Sequence, residues 1–323
     1  MINQFTFASS IYELRPLRTI RLPDFPGSTF RGGFGHVFKK VVCAFKDVEC
    51  DQCSIRHTCV YSYVFETPPG SDTEIMRKYD RAPHPFVIEP IADGKTLYDV
   101  NDVLRLRVIL IGNASSYYPY FIYAFRELGK IGIGKERGHY VLDSVYSENS
   151  TGKKKKIYHQ DSKELTSPYR DITLEAMIKD IDTDTGTVRC RFVTPTRLQY
   201  EGEISSRLDF HILIRNLLRR ISLLAYFHCG MKLDVDFAGL IERAKKVETI
   251  QHRTERYDWT RWSNRQQRRM TLPGQVGSVT YTGELREFMP FLVLGQYTHV
   301  GKNATFGLGK YEIEIQYKKD NIL

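Results

Sequence analysis

The chain has 323 residues, 47 Lys plus Arg against 38 Asp plus Glu, and a formal charge of +9. With 41% hydrophobic and 12% aromatic residues it is too rich in core formers to be disordered, and its length suits two domains. No apolar run approaches the roughly 18 residues of a membrane helix, and the start, MINQFTFASS, lacks a basic region followed by an apolar one, so the expected location is the cytoplasm.

Residues 3–14 and 17–22 mix apolar and polar side chains and are predicted as strands. A helix is expected from a cap at Ser28 or Thr29 to about Phe45, because Phe30, Phe34, Val37, Phe38, Val41 and Phe45 recur at helical spacing. After a Cys-bearing segment and a Pro-rich, charged loop, PFVIEP predicts a strand and LRLRVILI, residues 104–111, a cleanly alternating one. YPYFIYAFREL predicts a second helix stopped by Gly129, and GHYVLDSVY a closing strand. That order is β-α-β-β-α-β, the ferredoxin-like arrangement. Residues 148–170, with ENSTGKKKK, are expected to be a surface loop or linker.

The second half repeats the plan. TVRCRFVTPTRL predicts a strand, Ser206 with Asp209 a capping box, and a helix then runs to Gly230. Another helix is expected over 236–250. WTRWSNRQQRRMTL and QVGSVTYTG are expected to pair as a hairpin turning at Pro273-Gly274. LREFMPFLVLGQY predicts a helix and KYEIEIQYK a last strand. The expected fold class is therefore α+β, with tandem ferredoxin-like domains. The first spans 1–147 with a Cys-rich insertion at 43–59 after its first helix, and the second spans 171–323 with a glycine-rich loop at 301–309. A sheet covered by helices on one face leaves the other free for a flat ligand such as RNA.

Cys43, Cys50, Cys53 and Cys59 form C-x6-C-x2-C-x5-C. In a reducing compartment clustered thiols point to metal, and the central C-x2-C suits tetrahedral Zn2+. Four protein ligands leave no open position, so such a zinc would be structural. His57 could replace one thiolate, an iron–sulfur cluster is the competing metal reading, and four unconnected thiols the bland one. Residues 243–269 hold nine Lys or Arg against three acids, with Tyr257, Trp259 and Trp262 among Arg256, Arg261, Arg265, Arg268 and Arg269. Guanidinium groups grip phosphate and aromatic rings stack on unpaired bases, although most charge runs are simply solvated. The loop Gly301–Gly309, with Lys302, offers close backbone approach and charge to a phosphate. Gly129–Glu136 nearly matches a P-loop, but Glu136 stands where the Mg2+-binding hydroxyl belongs and the loop follows a helix, so a tight turn is expected.

No zinc-protease, deaminase or serine-hydrolase motif is present, and the acids are scattered rather than grouped for two-metal catalysis. RNA cleavage without metal needs only a proton carrier, a cation and a clamp, since the ribose 2′-OH can attack its own phosphate. On a wheel of about 100° per residue, His36 falls opposite the Phe-rich face, beside Lys39 and Lys40. His36 is the best acid or base, Lys39 could stabilise developing negative charge, and an exposed histidine without a role is the alternative. Gly32 and Gly33 each cost that helix roughly 1 kcal/mol, as if a backbone or phosphate must come close. His139, His211, His228 and His299 are weaker candidates, at element ends or in an apolar helix.

FRGGFGHVFKKVVC, CVYSYVFE, LGKIGIGKERGHYVL, LDFHILIRNLLRRISLLAYFH, WTRWSNRQQRRM, PGQVGSVTYTGEL and HVGKNATFGLGKYEI together resemble the CRISPR-associated precursor-RNA-processing endoribonucleases of the RAMP superfamily, in their cysteine-bearing branch. The resemblance covers nearly the whole chain. It implies tandem ferredoxin-like domains and cleavage of CRISPR repeat RNA without a catalytic metal, leaving a 2′,3′-cyclic phosphate and a 5′-hydroxyl. A histidine on or near the first helix is common in that family, which supports His36. The glycine loop carries over to Gly301, Gly307 and Gly309 as an RNA-contacting or structural element. Some relatives are non-catalytic RNA-binding subunits, so the alternative is such a subunit, partnered with other members of a CRISPR effector complex.

Overall fold

The computed structural model describes residues 4–70, 73–76, 81–169, 172–178, 185–263 and 268–317. The chain divides into two units: Phe5–Thr173 with Leu223–Met231, and Met1–Gln4 with Leu174–Ser222 and Lys232–Leu323. The boundary thus falls after Thr173, and the end of one helix groups with the first unit, unlike the expected 147/171 division.

In the first unit the elements are β1 (Thr6–Pro16), β2 (Ile20–Arg21), α1 (Gly27–Val42), β3 (Phe86–Pro90), β4 (Leu97–Tyr98), β5 (Leu104–Ile111), α2 (Tyr118–Ile131), β6 (Tyr140–Glu148), β7 (Lys154–His159) and β8 (Ile172–Thr173). The main sheet has the order β3-β5-β1-β6-β7, with β8 beside β1. Its first four strands reproduce the ferredoxin-like order, antiparallel throughout. The alternation of β5 puts Leu104, Leu106, Val108 and Leu110 into a core with Phe34, Phe86, Phe121 and Phe125. Phe34 is its centre, with ring centroids 4.6 Å from Phe121, 5.3 Å from Phe125 and 5.9 Å from Phe86.

Three local expectations change. The N-cap of α1 is Pro26, with no side-chain cap, rather than Ser28 or Thr29. Helix α2 continues past Gly129 to a C-cap at Gly132, whose φ of 86° suits glycine. Gly129 instead lets the Tyr140 carbonyl approach, since a Cβ there would overlap it. The expected loop 148–170 contains β7, which pairs with β6 and extends the sheet.

The second unit comprises α3 (Leu174–Ile178), β9 (Thr185–Thr196), β10 (Gln199–Tyr200), β11 (Glu203–Ile204), α4 (Phe210–Cys229, to Ser222 in this unit), α5 (Phe237–Ala244), β12 (Glu248–Ser263), β13 (Arg268–Thr282), α6 (Met289–Thr298) and β14 (Tyr311–Tyr317). Its sheet runs β12-β13-β9-β14, again the ferredoxin-like order. Helix α4 starts from Asp209, whose carbonyl accepts from the Ile212 and Leu213 amides. Helix α5 stops at Ala244, and the chain re-enters the sheet at Glu248. Pro273-Gly274 is not a turn: it lies within β13 opposite Asp258 and Tyr257. The Pro273 carbonyl accepts from Arg197 Nε at 2.9 Å, and a Cβ on Gly274 would press on Pro195. Among the described residues no helix is long and apolar enough to cross a membrane.

Candidate active site and nucleic-acid interface

Helix α1 buries Phe30, Phe34, Val37 and Phe38, which turns His36 and Lys40 out to solvent. Among the described residues His36 has no hydrogen-bonding or ionic partner, so nothing here fixes its ring in advance. Lys39 is half-buried, with Nζ 5.7 Å from the Tyr61 ring centroid. Arg31, two turns earlier, sits 4.1 Å over Phe65, and Tyr61 and Phe65 stack at 5.4 Å. An aromatic shelf thus holds two cations along one side of α1. The opposite side meets α2 through Gly33, where a Cβ would come within 2.8 Å of Leu128 Cδ1. Gly35 makes room for Phe65 in the same way. At Gly32 nothing lies within 4 Å of a would-be Cβ, so that backbone is open, one turn before His36.

Helix α2 adds residues that sequence reasoning did not single out. Tyr117, Tyr120 and Tyr123 recur every third residue, Tyr120 and Tyr123 are exposed, and Arg126 lies 4.5 Å over the Tyr123 ring. The signal was the spacing in YPYFIY, where apolar residues alternate with outward tyrosines at helical period.

Cys43, Cys50, Cys53 and Cys59 are free thiols that line one surface depression with Phe45, Val48 and Arg56. Burial pushes the Cys50 thiol above its ordinary range, and the nearby Lys39 ammonium opposes that shift.

In the second unit the expected RNA-contacting residues separate. Arg256 is exposed but donates to Asp258 Oδ1 at 2.8 Å. Arg268 is exposed. Arg261 pairs with Met270 in the hairpin ladder, and Arg265 lies outside the described residues. Trp259 is a correction: it is only 4% exposed, with its ring 6.2 Å from Phe306, so it is a packing residue and not a stacking platform. The glycine loop is built for its own folding. Gly301 and Gly309 have φ of 80° and 69°, and side chains there would overlap the Arg197 and Val300 carbonyls. Gly307 has φ of 80° and its carbonyl accepts from Thr194 Oγ1 at 2.9 Å. Lys302 in the same loop is exposed. We expect Gly309→Ala to destabilise the second unit by more than about 1–3 kcal/mol, the usual cost of a forced left-handed residue, because the overlap with Val300 adds to it. A urea midpoint unchanged from wild type would show that the loop can relax.

Two of the other candidate histidines, His228 and His299, are held by structural hydrogen bonds. His228 is buried, with Nε2–H donating to the Pro83 carbonyl at 2.7 Å and Nδ1 accepting from Tyr63 Oη at 3.1 Å. His299 is buried at φ 57° and donates from Nδ1 to the Leu308 carbonyl at 3.1 Å. Burial lowers His211 below the usual imidazole range, and His139 is half-buried. Of the five candidates, His36 is the exposed one.

Residues 5–169 match the family AF_1859_N, an N-terminal domain, and residues 190–311 match the family described as CRISPR-associated endoribonuclease Cas6. An uncharacterised protein of Archaeoglobus fulgidus is 25% identical over 300 residues, covering 90% of this chain and 92% of its own. The fold is similar to that of a Thermus thermophilus Cas6 (TTHB231) in its product complex, with TM-score 0.59 at 16% identity over 96% of this chain and 99% of that one. It is also similar to part of a chain in a Cas6-RT-Cas1–Cas2 complex, with TM-score 0.56 at 16% identity over 97% of this chain and 47% of that one. Two successive ferredoxin-like units, a matching N-terminal domain over half the length and a Cas6 domain in the remainder place the chain in the AF_1859_N family, as a CRISPR-associated Cas6-like protein.

Proposed function

We propose that this protein is an endoribonuclease that cuts CRISPR repeat RNA and releases mature crRNA. The observation that carries this reading is His36: an exposed imidazole on α1, beside the open backbone of Gly32 and between Lys39 and Lys40. The ribose 2′-OH attacks the adjacent phosphorus, and the P–O5′ bond breaks. His36 takes the 2′ proton and delivers a proton to the leaving 5′ oxygen, which gives a 2′,3′-cyclic phosphate and a 5′-hydroxyl. Lys39, held on Tyr61, and the exposed Lys40 offset the charge that grows on the phosphorane. No catalytic metal enters this scheme. Incubation with repeat RNA in EDTA tests it: the cut should persist, and a 2′-deoxy sugar at the cut site should bind without reacting. Loss of the cut in EDTA, or equal cutting of an all-DNA strand, would remove the reading.

One observation favours the second reading, a non-catalytic RNA-binding subunit of a CRISPR complex: no protein group orients His36 among the described residues. In that case His36→Ala leaves processing and binding alike. The RNA partner itself rests on the Cas6 domain and on exposed cations, including Arg268 and Lys302. Replacing Arg268 by alanine is expected to lower the slope of log affinity against log salt by about 0.7 for single-stranded RNA. Arg256→Ala should lower it as well if that guanidinium exchanges Asp258 for a phosphate on binding. An unchanged slope for Arg268→Ala would turn that side chain away from the RNA. For the tyrosine stripe, Tyr120→Ala and Tyr123→Ala are each expected to cost about 1–3 kcal/mol of RNA affinity by loss of base stacking. Equal affinities in filter binding would make the stripe inert.

A further inference from the structure

The segment that joins α1 to the aromatic shelf lacks a core. From Cys43 to Val60 no side chain is buried. Three of its large apolar residues face water: Phe45 is 47% exposed, Val48 39% and Ile55 36%. Its backbone makes short turn bonds, from Gln52 to Glu49, Cys53 to Cys50, Arg56 to Cys53 and Cys59 to Ile55. Yet Cys59 leads at once into Tyr61, Val64 and Phe65, which are buried against Phe34 and Phe38. Cys50, Cys59 and Val60 pack, partly buried, against the core of the unit, which leaves a stretch of this length little apolar burial to offset its chain entropy. The residues that turn inward are Cys43, Cys50, Cys53, Arg56, Cys59 and Val60. All four cysteines of the cluster are among them, and all four line the same depression.

We propose that Cys43, Cys50, Cys53 and Cys59 hold one zinc ion as four thiolates, and that this ion fixes residues 43–60 in place of a hydrophobic core. The tight turn Cys50–Cys53 sets two sulfurs on one side, as a tetrahedral site requires. Cys43 closes α1 and Cys59 opens the approach to Tyr61, so the ion ties the end of the helix to the shelf beneath Lys39. Binding releases four thiol protons and leaves a net charge of −2 on the site, beside Arg56 in its wall. The thiols are not drawn into a coordination sphere here. Among the described residues no group of three or more His, Cys, Asp or Glu side chains stands in metal-binding geometry. Zinc therefore has to gather sulfurs that already share a wall. His57 is exposed and is not a ligand in this proposal.

The test needs no RNA and stands apart from the proposed cleavage. Elemental analysis of the purified full chain should give one zinc per chain. Cys53→Ser should lose it, while His57→Ala should keep it. A strong chelator should lower the melting temperature, open peptide bonds within 44–58 to a protease and make four further thiols reactive to a thiol reagent. Because Cys53→Ser can fail to fold, cobalt exchange into the wild-type chain supplies a second reading: a thiolate-to-cobalt charge-transfer band is expected. Iron with acid-labile sulfide, disulfides among these four cysteines, or a metal-free chain indifferent to chelator would each overturn the proposal.

Discussion

With His36 changed to alanine, cleavage of CRISPR repeat RNA is expected to slow by about 10²- to 10⁴-fold, while RNA affinity stays within about twofold. The size follows from the removal of a proton carrier whose place in the transition state water fills poorly. Affinity is expected to hold because the imidazole is exposed and, among the described residues, has no hydrogen-bonding or ionic partner. Phe34, Val37 and Phe38 keep α1 seated whatever stands at position 36. Lys39→Ala should cost less in rate than His36→Ala, and part of its effect should come through the Tyr61 shelf. Lys40 is exposed, so Lys40→Ala should report mainly charge. Single-turnover rates with saturating protein separate these terms from binding. A His36→Ala protein that cuts at the wild-type rate would place the proton transfer elsewhere or favour the RNA-binding subunit.

Periodicity was legible where one face of an element is buried and the other is not. Strand β5 matches LRLRVILI residue for residue, because its alternation meets a core on one side. Helix α1 follows from its Phe spacing, and both β-α-β-β-α-β orders follow from chains of such elements. Errors arose where a residue type carries two meanings. Gly129 reads as a stop, yet it is a close-packing position against Tyr140 within α2. Pro273-Gly274 reads as a turn, but β13 runs through it in register with Asp258 and Tyr257 of β12, and Arg197 donates to the Pro273 carbonyl. The lysine run 153–156 reads as loop by composition, while Ile157 and Tyr158 supply enough burial to hold β7 on the sheet edge. Exposed lysines are what an edge strand needs to resist further pairing. At the candidate site, His36 was recoverable from the wheel, whereas the aromatic shelf under Arg31 and Lys39 was not. Phe65 and Tyr61 reach α1 only through the tertiary fold.

Trp259→Ala is expected to destabilise the second unit by about 3–5 kcal/mol, while RNA affinity measured well below the melting temperature stays near wild type. The sequence run invites the opposite expectation, since Trp259 stands among arginines. On a strand, however, neighbours point to opposite faces. Arg256, Asp258 and Thr260 are exposed on β12, and Trp259 between them is buried. Its cross-strand partner is Leu272, itself buried, and Phe306 of the glycine loop lies against its ring. The indole therefore ties the hairpin to the loop 301–309, and its removal opens a cavity that the twisted hairpin cannot close. Trp259→Phe should recover most of the loss, because a smaller ring can still fill the gap between Leu272 and Phe306. The decisive comparison pairs urea unfolding with RNA titration on the same variant. A stable Trp259→Ala protein that has lost RNA affinity would mean that the indole swings out to meet a base.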